Sequence, residues 1–111
     1  MVESKLLGLL GIARRAGHIV IGFDAVKATI ADGRAQVVLL AADRSAKTEK
    51  ELRYAAQNSP CPIRVLAADK DALAHALGLQ KPVAVAATDD RGFATAMLKA
   101  CGTDTKEDVA L

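Results

Sequence analysis

Apolar side chains recur at helical spacing in five segments of the chain and form short continuous runs in four others, and the two kinds of segment alternate. The amphipathic segments predict helices over residues 2–16, 23–33, 48–59, 69–78 and 89–101. The continuous runs predict strands over residues 18–21, 36–42, 63–66 and 83–88. The run QVVLLAA at 36–42 is rich in branched residues, which is typical of a central strand covered on both faces.

This alternation predicts a three-layer α/β/α sandwich around a four-stranded sheet, because strands that alternate with helices pack their helices on both faces. The pattern fits one domain over residues 1–102, followed by a flexible acidic tail over 103–111. Polar residues mark several helix starts: a Thr48-x-x-Glu51 capping box for the third helix, Asp69 for the fourth, and Asp89 or Asp90 for the last.

Composition limits the class of protein. Hydrophobic residues make up 51% of the chain and aromatic residues only 3%, so the core must consist of Ala, Val, Leu and Ile. No apolar run approaches the roughly 20 residues that span a bilayer, and we expect no membrane partner. Cys61 and Cys101 lie far apart without CxxC spacing, which is typical of free, buried or half-buried thiols in a cytoplasmic protein.

Charge is unevenly spread along the chain. The whole sequence has 15 basic and 13 acidic residues, a net charge of +2. Residues 103–111 contain three acids and one lysine, so 14 basic and 10 acidic residues remain in 1–102, a net charge of +4. This excess favours an anionic partner without reaching the charge of a protein that binds nucleic acid by electrostatics alone.

No constellation of residues predicts catalysis. His18 and His75 are far apart in sequence, and no serine or glycine pattern matches a nucleophile elbow or a phosphate-binding loop. Asp43 follows a buried strand, where a phospho-acceptor could lie, but a residue that orders the next turn is the simpler interpretation. We therefore predict a protein that is not an enzyme and has no metal or cofactor.

Three loops carry polar and basic groups that could bind RNA. Gly22 ends a strand and directly precedes a helix, whose free N–H groups favour anions and base edges. Basic residues lie close by in sequence, at Arg14, Arg15, His18, Lys27, Arg44 and Lys47. The loop 78–82 offers what we expect to be an exposed apolar and polar surface, formed by Leu79, Gln80, Lys81 and Pro82.

Two stretches, LLGIARRAGHIVIGFDAVKATIADGRAQVVLLAADRSAKTEKEL and ALGLQKPVAVAATDDRGFATAM, resemble the ribosomal L7Ae/L30e family and, within it, the small bacterial YlxQ-like proteins. The resemblance covers nearly all of residues 4–101. It implies an L30e-like sandwich with a mixed sheet, no enzymatic activity, and binding to kink-turn or similar bent RNA. In this family the start of the second helix contacts sheared G·A pairs through a G-x-N-E-x-x-K motif, and the loop before the last strand covers unpaired nucleotides.

Gly22 matches the glycine of that motif, whereas Asp24, Ala25 and Ala28 stand where Asn, Glu and Lys are expected. An ionised aspartate only accepts hydrogen bonds and alanine has no polar group, so base contacts worth roughly 1–3 kcal/mol each are lost. The resemblance and the basic loops together predict an RNA-binding set of Arg14, Arg15, His18, Gly22, Phe23, Asp24, Lys27, Arg44, Lys47, Leu79, Gln80, Lys81 and Pro82.

The expected partner is structured RNA, with ribosomal RNA as one candidate, together with a ribosomal or transcription-factor protein, and we expect a monomer. The alternative is a protein-interaction module of the same fold whose RNA-reading residues have been lost.

Overall fold

A computed structural model describes residues 2–102 of the chain, and the predicted tail lies outside these residues. The helices are α1 Val2–Arg15, α2 Phe23–Ala31, α3 Ala46–Ala55, α4 Lys70–Ala76 and α5 Arg91–Gly102. The strands are β1 Ile19–Ile21, β2 Val37–Leu40, β3 Ile63–Val65 and β4 Val85–Thr88. The predicted alternation of helices and strands is confirmed, and the main difference is that the strands are shorter than the apolar runs that predicted them.

The strands form one mixed sheet in the order β1-β4-β2-β3. Strand β4 is antiparallel to both β1 and β2, whereas β2 and β3 are parallel. Leu40 pairs with both Val85 and Val65, so the ends of β2 and β3 meet the start of β4. Gly22, just after β1, lies at this same end, which we call the Gly22 end of the sheet; the other is the His18 end.

Helices cover both faces of the sheet, which confirms the predicted three layers. Successive side chains of β2 and β4 point to opposite faces, so each strand contributes to two separate hydrophobic clusters. Helices α1, α4 and α5 pack on one face around Leu6, Leu10, Leu73 and Met97. Helices α2 and α3 pack on the other face around Val26, Ile30 and Leu52.

The predicted capping box at Thr48 is wrong. Helix α3 begins two residues earlier, and Ser45 is its N-cap because the Ser45 hydroxyl accepts a hydrogen bond from the Thr48 N–H at 3.0 Å. Thr48 therefore lies inside the first turn. Glu51 instead lies 3.7 Å from the ammonium group of Lys27, so it joins α3 to α2.

Acidic side chains begin α4 and α5 as predicted. An Asp69 carboxylate oxygen accepts from the Ala72 N–H at 2.8 Å, and Asp90 accepts from the Phe93 N–H at 2.8 Å. Asp43 accepts from the Lys70 N–H at 2.8 Å, so it ties the loop after β2 to the start of α4. The structural interpretation of Asp43 is thus supported, although the helix it orders is α4 and not α3.

The burial of both cysteines agrees with the prediction. Cys101 is buried and Cys61 is half-buried, and burial raises the pKa of the Cys61 thiol. Within residues 2–102, no helix has the length and apolar character needed to cross a membrane.

Candidate nucleic-acid interface

Gly22 joins the sheet to helix α2. Its N–H donates to the Val85 carbonyl at 3.1 Å, which continues the β1–β4 ladder, and its carbonyl accepts from the Val26 N–H at 3.0 Å. Its backbone angles are φ 98° and ψ 156°, a conformation that L side chains rarely adopt. Glycine therefore allows the strand to become a helix with Gly22 as the single residue between them.

The start of α2 is open to a ligand. Among the residues that the structure describes, no side chain caps this helix, and no atom lies within 4 Å of the position that a Cβ on Gly22 would take. The first N–H groups of a helix have no partner within the helix and carry partial positive charge. The turn therefore presents backbone donors next to free space, which suits a phosphate or the acceptor edge of a base.

The motif positions on the outer face of α2 have few polar groups. Asp24, Ala25 and Ala28 are all exposed, whereas Val26 and Ile30 are buried against the sheet. The motif positions that differ from the family pattern therefore lie on the surface where they would meet RNA. That surface offers one carboxylate and two methyl groups.

Lys27 faces the neighbouring helix. Its ammonium nitrogen lies 5.6 Å from the centre of the Phe23 ring, one helical turn earlier, and 3.7 Å from a Glu51 carboxylate oxygen. The contact with Glu51 directs the side chain toward α3, whereas Phe23 belongs to the same helix as Lys27. Lys27 thus connects the Gly22 turn to the groove between the two helices.

Arg44 is held within the protein. Its guanidinium makes two contacts of 2.8 Å to one Glu49 oxygen and donates to the Ala42 carbonyl at 2.7 Å. Glu49 also binds Arg53 at 2.9 Å. The hydrogen bond from Arg53, together with Arg44, holds the pKa of the Glu49 carboxyl below its usual range. Lys47 is exposed, and no ion-pair partner for it is found in the described part of the chain.

The loop 78–82 is folded back onto α4 at its start. The Leu79 N–H donates to the Ala74 carbonyl at 2.9 Å, in the hydrogen-bond pattern that ends a helix at a glycine of positive φ. This pattern brings Leu79 against the hydrophobic core. The prediction of an exposed Leu79 is therefore wrong, whereas Gln80, Lys81 and Pro82 are exposed as expected.

The three predicted residues around the end of α1 have three different sets of neighbours. Arg14 is exposed, and its guanidinium lies 3.6 Å from the position that a Cβ on Gly78 would take, so it reaches the start of the loop 78–82. Arg15 lines a shallow depression between α1 and α4. His18 lies at the other end of β1 from Gly22, where its Nδ1 is 3.3 Å from an Asp89 carboxylate oxygen.

Gly22, Phe23, Asp24 and Arg44 lie at the Gly22 end of the sheet, whereas Arg14 and Arg15 lie at the end of α1 close to His18, whose N–H donates to the Ala13 carbonyl at 2.9 Å. The Val83 N–H donates to the Lys70 carbonyl at 3.1 Å and the Ala41 N–H to the Ala84 carbonyl at 2.8 Å, which fixes the exit of the loop 78–82 beside the ends of β2 and β3. Lys50 and Tyr54 were not among the predicted residues. Their spacing from Lys47 along α3 was the signal that could have found them.

Within residues 2–102, no group of three or more histidine, cysteine, aspartate or glutamate side chains could hold a metal ion. The groups exposed at or near the Gly22 end are backbone donors, ammonium groups, the Asp24 carboxylate and the Gln80 amide.

Solved structures define the class of this fold. The chain superimposes with a TM-score of 0.81 on a protein of unknown function from Bacillus halodurans C, which is 28% identical; the match covers 87% of this chain and 96% of that one. It superimposes with a TM-score of 0.74 on the Giardia lamblia 15.5kD RNA binding protein, which is 21% identical; the match covers 94% of this chain and 90% of that one. The second likeness shows the fold alone, a small α/β/α sandwich.

Sequence relatives place the chain within that class. RNA-binding protein YlxQ of Bacillus subtilis (strain 168) is 34% identical over 90 residues, which are 81% of this chain and 88% of the relative. The model of the ribosomal protein L7Ae/L30e/S12e/Gadd45 family matches residues 4–98, and the chain belongs to this family. The resemblance inferred from the sequence, including the YlxQ-like subgroup, is confirmed.

Proposed function

We propose that the chain is a non-catalytic RNA-binding protein that binds structured RNA at the Gly22 end of its sheet. The observation that carries the proposal is the uncapped start of α2, which opens onto free space in front of Gly22. The turn lies where the family resemblance puts the RNA contact. The 34% identical relative is described as an RNA-binding protein, which supports the same conclusion.

Each exposed group at this end has a distinct role. Backbone N–H groups at the start of α2 and the ammonium groups of Lys47 and Lys81 bind phosphates, which fixes the position of the RNA. The Gln80 amide can both donate to and accept from a base edge, and Pro82 provides an apolar surface for an unpaired base. Arg44 acts indirectly, because its contacts with Glu49 and Ala42 order the start of α3 beside Lys47.

The RNA is of the kink-turn type or another bent, internally looped form, and the association is with the ribosome or with the translation or transcription machinery. Because Asp24, Ala25 and Ala28 cannot make the polar base contacts of the family motif, discrimination between kink-turns and related RNAs is weak. The alternative of a protein-interaction module has no support among the relatives described above.

Gel-shift titrations test the proposal with the full-length chain. A kink-turn RNA, a duplex of equal length and a single strand are compared at two salt concentrations. We expect micromolar or tighter binding of the kink-turn RNA that weakens with salt, because phosphate contacts release counterions. If no RNA is retained at low salt, the proposal is wrong.

Lys81 provides the first site-specific test. Lys81→Ala is expected to weaken RNA binding by several-fold and to leave thermal stability unchanged, because the side chain is exposed on the loop 78–82. Arg91→Ala is the matched control: it also removes one exposed positive charge, but at the start of α5, at the His18 end. Equal loss of binding in both variants would show that only net charge matters.

A further inference from the structure

Helix α3 has an exposed stripe that none of the contacts described above explains. Lys47, Lys50 and Tyr54 follow at intervals of three and four residues, so they lie along one side of the helix. All three are exposed, and Tyr54 is 69% exposed. They line an open groove of about 770 Å³, which Lys27 of α2 borders.

The groove has a positive character, because basic residues outnumber acidic ones in its lining. Its two acidic residues are already engaged: Glu49 binds Arg44 and Arg53, and Glu51 lies 3.7 Å from Lys27. Lys47 and Lys50 have no ion-pair partner among residues 2–102 for which contacts are described. The groove therefore offers two ammonium groups to an anionic ligand.

Tyr54 adds a flat aromatic surface beside these charges. A phenol ring that is 69% exposed is not part of either hydrophobic cluster, so packing does not account for its position. Aromatic rings next to basic residues provide stacking surfaces for unpaired bases, and stacking tolerates any sequence. An acidic peptide would use the lysines but would have no need of an exposed ring.

The groove is continuous with the Gly22 end of the sheet. Helix α3 begins at that end, with Lys47 in its first turn, and runs away from it toward Tyr54. Lys27 contacts both Phe23, which follows Gly22, and Glu51 in the groove. A nucleotide strand that leaves the start of α2 therefore meets the lysines first and the tyrosine last.

We propose that the groove between α2 and α3 binds a single-stranded segment flanking the structured RNA. Lys47 and Lys50 hold its phosphates, and one base stacks on Tyr54. The inference rests on the proposed function, because the strand that enters the groove is an extension of the RNA bound at Gly22. The groove thus adds a second RNA contact region, which binds without preference for the RNA sequence.

Tyr54 itself reports on this contact, because the chain has one tyrosine and no tryptophan. The full-length protein is titrated with a kink-turn RNA that ends flush and with the same RNA carrying an eight-uridine extension, while tyrosine fluorescence is measured and corrected for absorption by the RNA. We expect the extended RNA to bind at least about fivefold more tightly and to quench Tyr54. The flush RNA should bind without that quenching.

Three variants separate stacking from charge. Tyr54→Leu should weaken binding of the extended RNA by about tenfold and leave the flush RNA unaffected, whereas Tyr54→Phe keeps the ring and should retain the affinity. Lys50→Ala should weaken binding of the extended RNA and reduce its salt dependence by about one phosphate contact. Thermal denaturation checks that each variant is folded.

Three results would overturn the inference. Equal binding of the flush and extended RNAs with unchanged tyrosine fluorescence would leave the proposed function standing without the groove. Quenching by an eight-residue polyglutamate peptide as strong as that by the extended RNA would assign the groove to an acidic protein segment. Failure of the wild-type protein to bind either RNA would refute the proposed function and the inference together.

Discussion

A comparison of Gly22 with Gly8 can separate the effect of backbone conformation on stability from the effect of steric crowding. Neither would bring a Cβ within 4 Å of another atom. Gly22 has a positive φ of 98°, whereas Gly8 lies within the regular helix α1. Any difference between their alanine variants must therefore come from the backbone.

Gly22→Ala is expected to lower the free energy of unfolding by about 1–3 kcal/mol, because alanine would have to adopt a strained backbone conformation. Gly8→Ala is the control and should raise it by about 0.5–1 kcal/mol, because alanine favours helix. Urea denaturation measures both. A Gly22→Ala variant as stable as the wild type would show that the turn can be rebuilt without a positive φ.

Glu49 gives the protein a pH-dependent contribution to stability. Hydrogen bonds from Arg53 and Arg44 hold the pKa of its carboxyl below the value of 4.5 expected when unfolded. The ionised form is thus favoured by folding. This contribution is fully present above the unfolded pKa and is lost as the pH falls through the lower folded pKa.

Glu49→Gln should therefore lower the free energy of unfolding at pH 7 by about 1–2 kcal/mol, the scale of hydrogen bonds to a charged group, and by less once the pH falls through the folded pKa. Glu51→Gln is the matched control on the same helix. Its single contact with Lys27, at 3.7 Å, is exposed and should contribute less than about 1 kcal/mol. Equal pH profiles for the two variants would contradict the prediction.

Single residues also show what the sequence could and could not predict. Gly22, Asp69 and Asp90 act through their nearest neighbours in the chain, and their roles followed from the sequence alone. The role of Arg44 did not follow from the sequence. Its contact with Glu49 depends on where α3 begins, and both Ser45 and Thr48 are residues that can begin a helix. Leu79 was misjudged because the turn after α4 folds it back onto the core.

At the scale of the element, α2 begins at the glycine of the family motif, but its exposed side chains differ from those of the motif. Its buried residues anchor it to the sheet, and its exposed face carries Asp24, Ala25 and Ala28. Helical periodicity was sufficient to predict which residues face outward. It could not predict which residue of α2 borders the groove on α3, because that depends on the packing of two helices separated in sequence by β2.

The triple variant Asp24→Asn, Ala25→Glu, Ala28→Lys restores the family motif on this exposed face. We expect it to bind kink-turn RNA at least about tenfold more tightly, or about 1.4 kcal/mol, with no comparable gain for a duplex. Glutamate and lysine are good helix formers, so stability should change little. Ala31→Lys, on the same helix, adds the same net charge of +1 and is the control for electrostatics.

At the scale of the molecule, the alternation of helices and strands predicted the three layers, because an amphipathic helix must bury its apolar side against a sheet. The sequence gives no comparable signal for the strand order. Strands of three or four residues that are almost entirely apolar can pair in parallel or antiparallel, and with more than one neighbouring strand. The mixed sheet followed from the family resemblance, and β4 lies between β1 and β2.

Net charge predicts an effect of residues 103–111 on RNA binding. Removing them changes the net charge from +2 to +4, because three acids and one lysine are lost. The fragment 1–102 should therefore bind RNA more tightly than the full chain at low salt, and the difference should shrink as screening increases. A full-length variant with Asp104, Glu107 and Asp108 neutralised has a net charge of +5 and should bind at least as tightly as the fragment; if it binds like the wild type, charge is not the cause.

The position of β4 in the sheet also determines how the protein can fold during its synthesis. β1 is an edge strand whose neighbour is β4, and Val85–Thr88 follow it by more than sixty residues. A nascent chain that ends before β4 holds only the parallel pair β2 and β3, and its first helices have no complete sheet to cover. Such contacts between distant residues slow folding. The chain should consequently become resistant to protease in one late step, after β4 has left the ribosome exit tunnel.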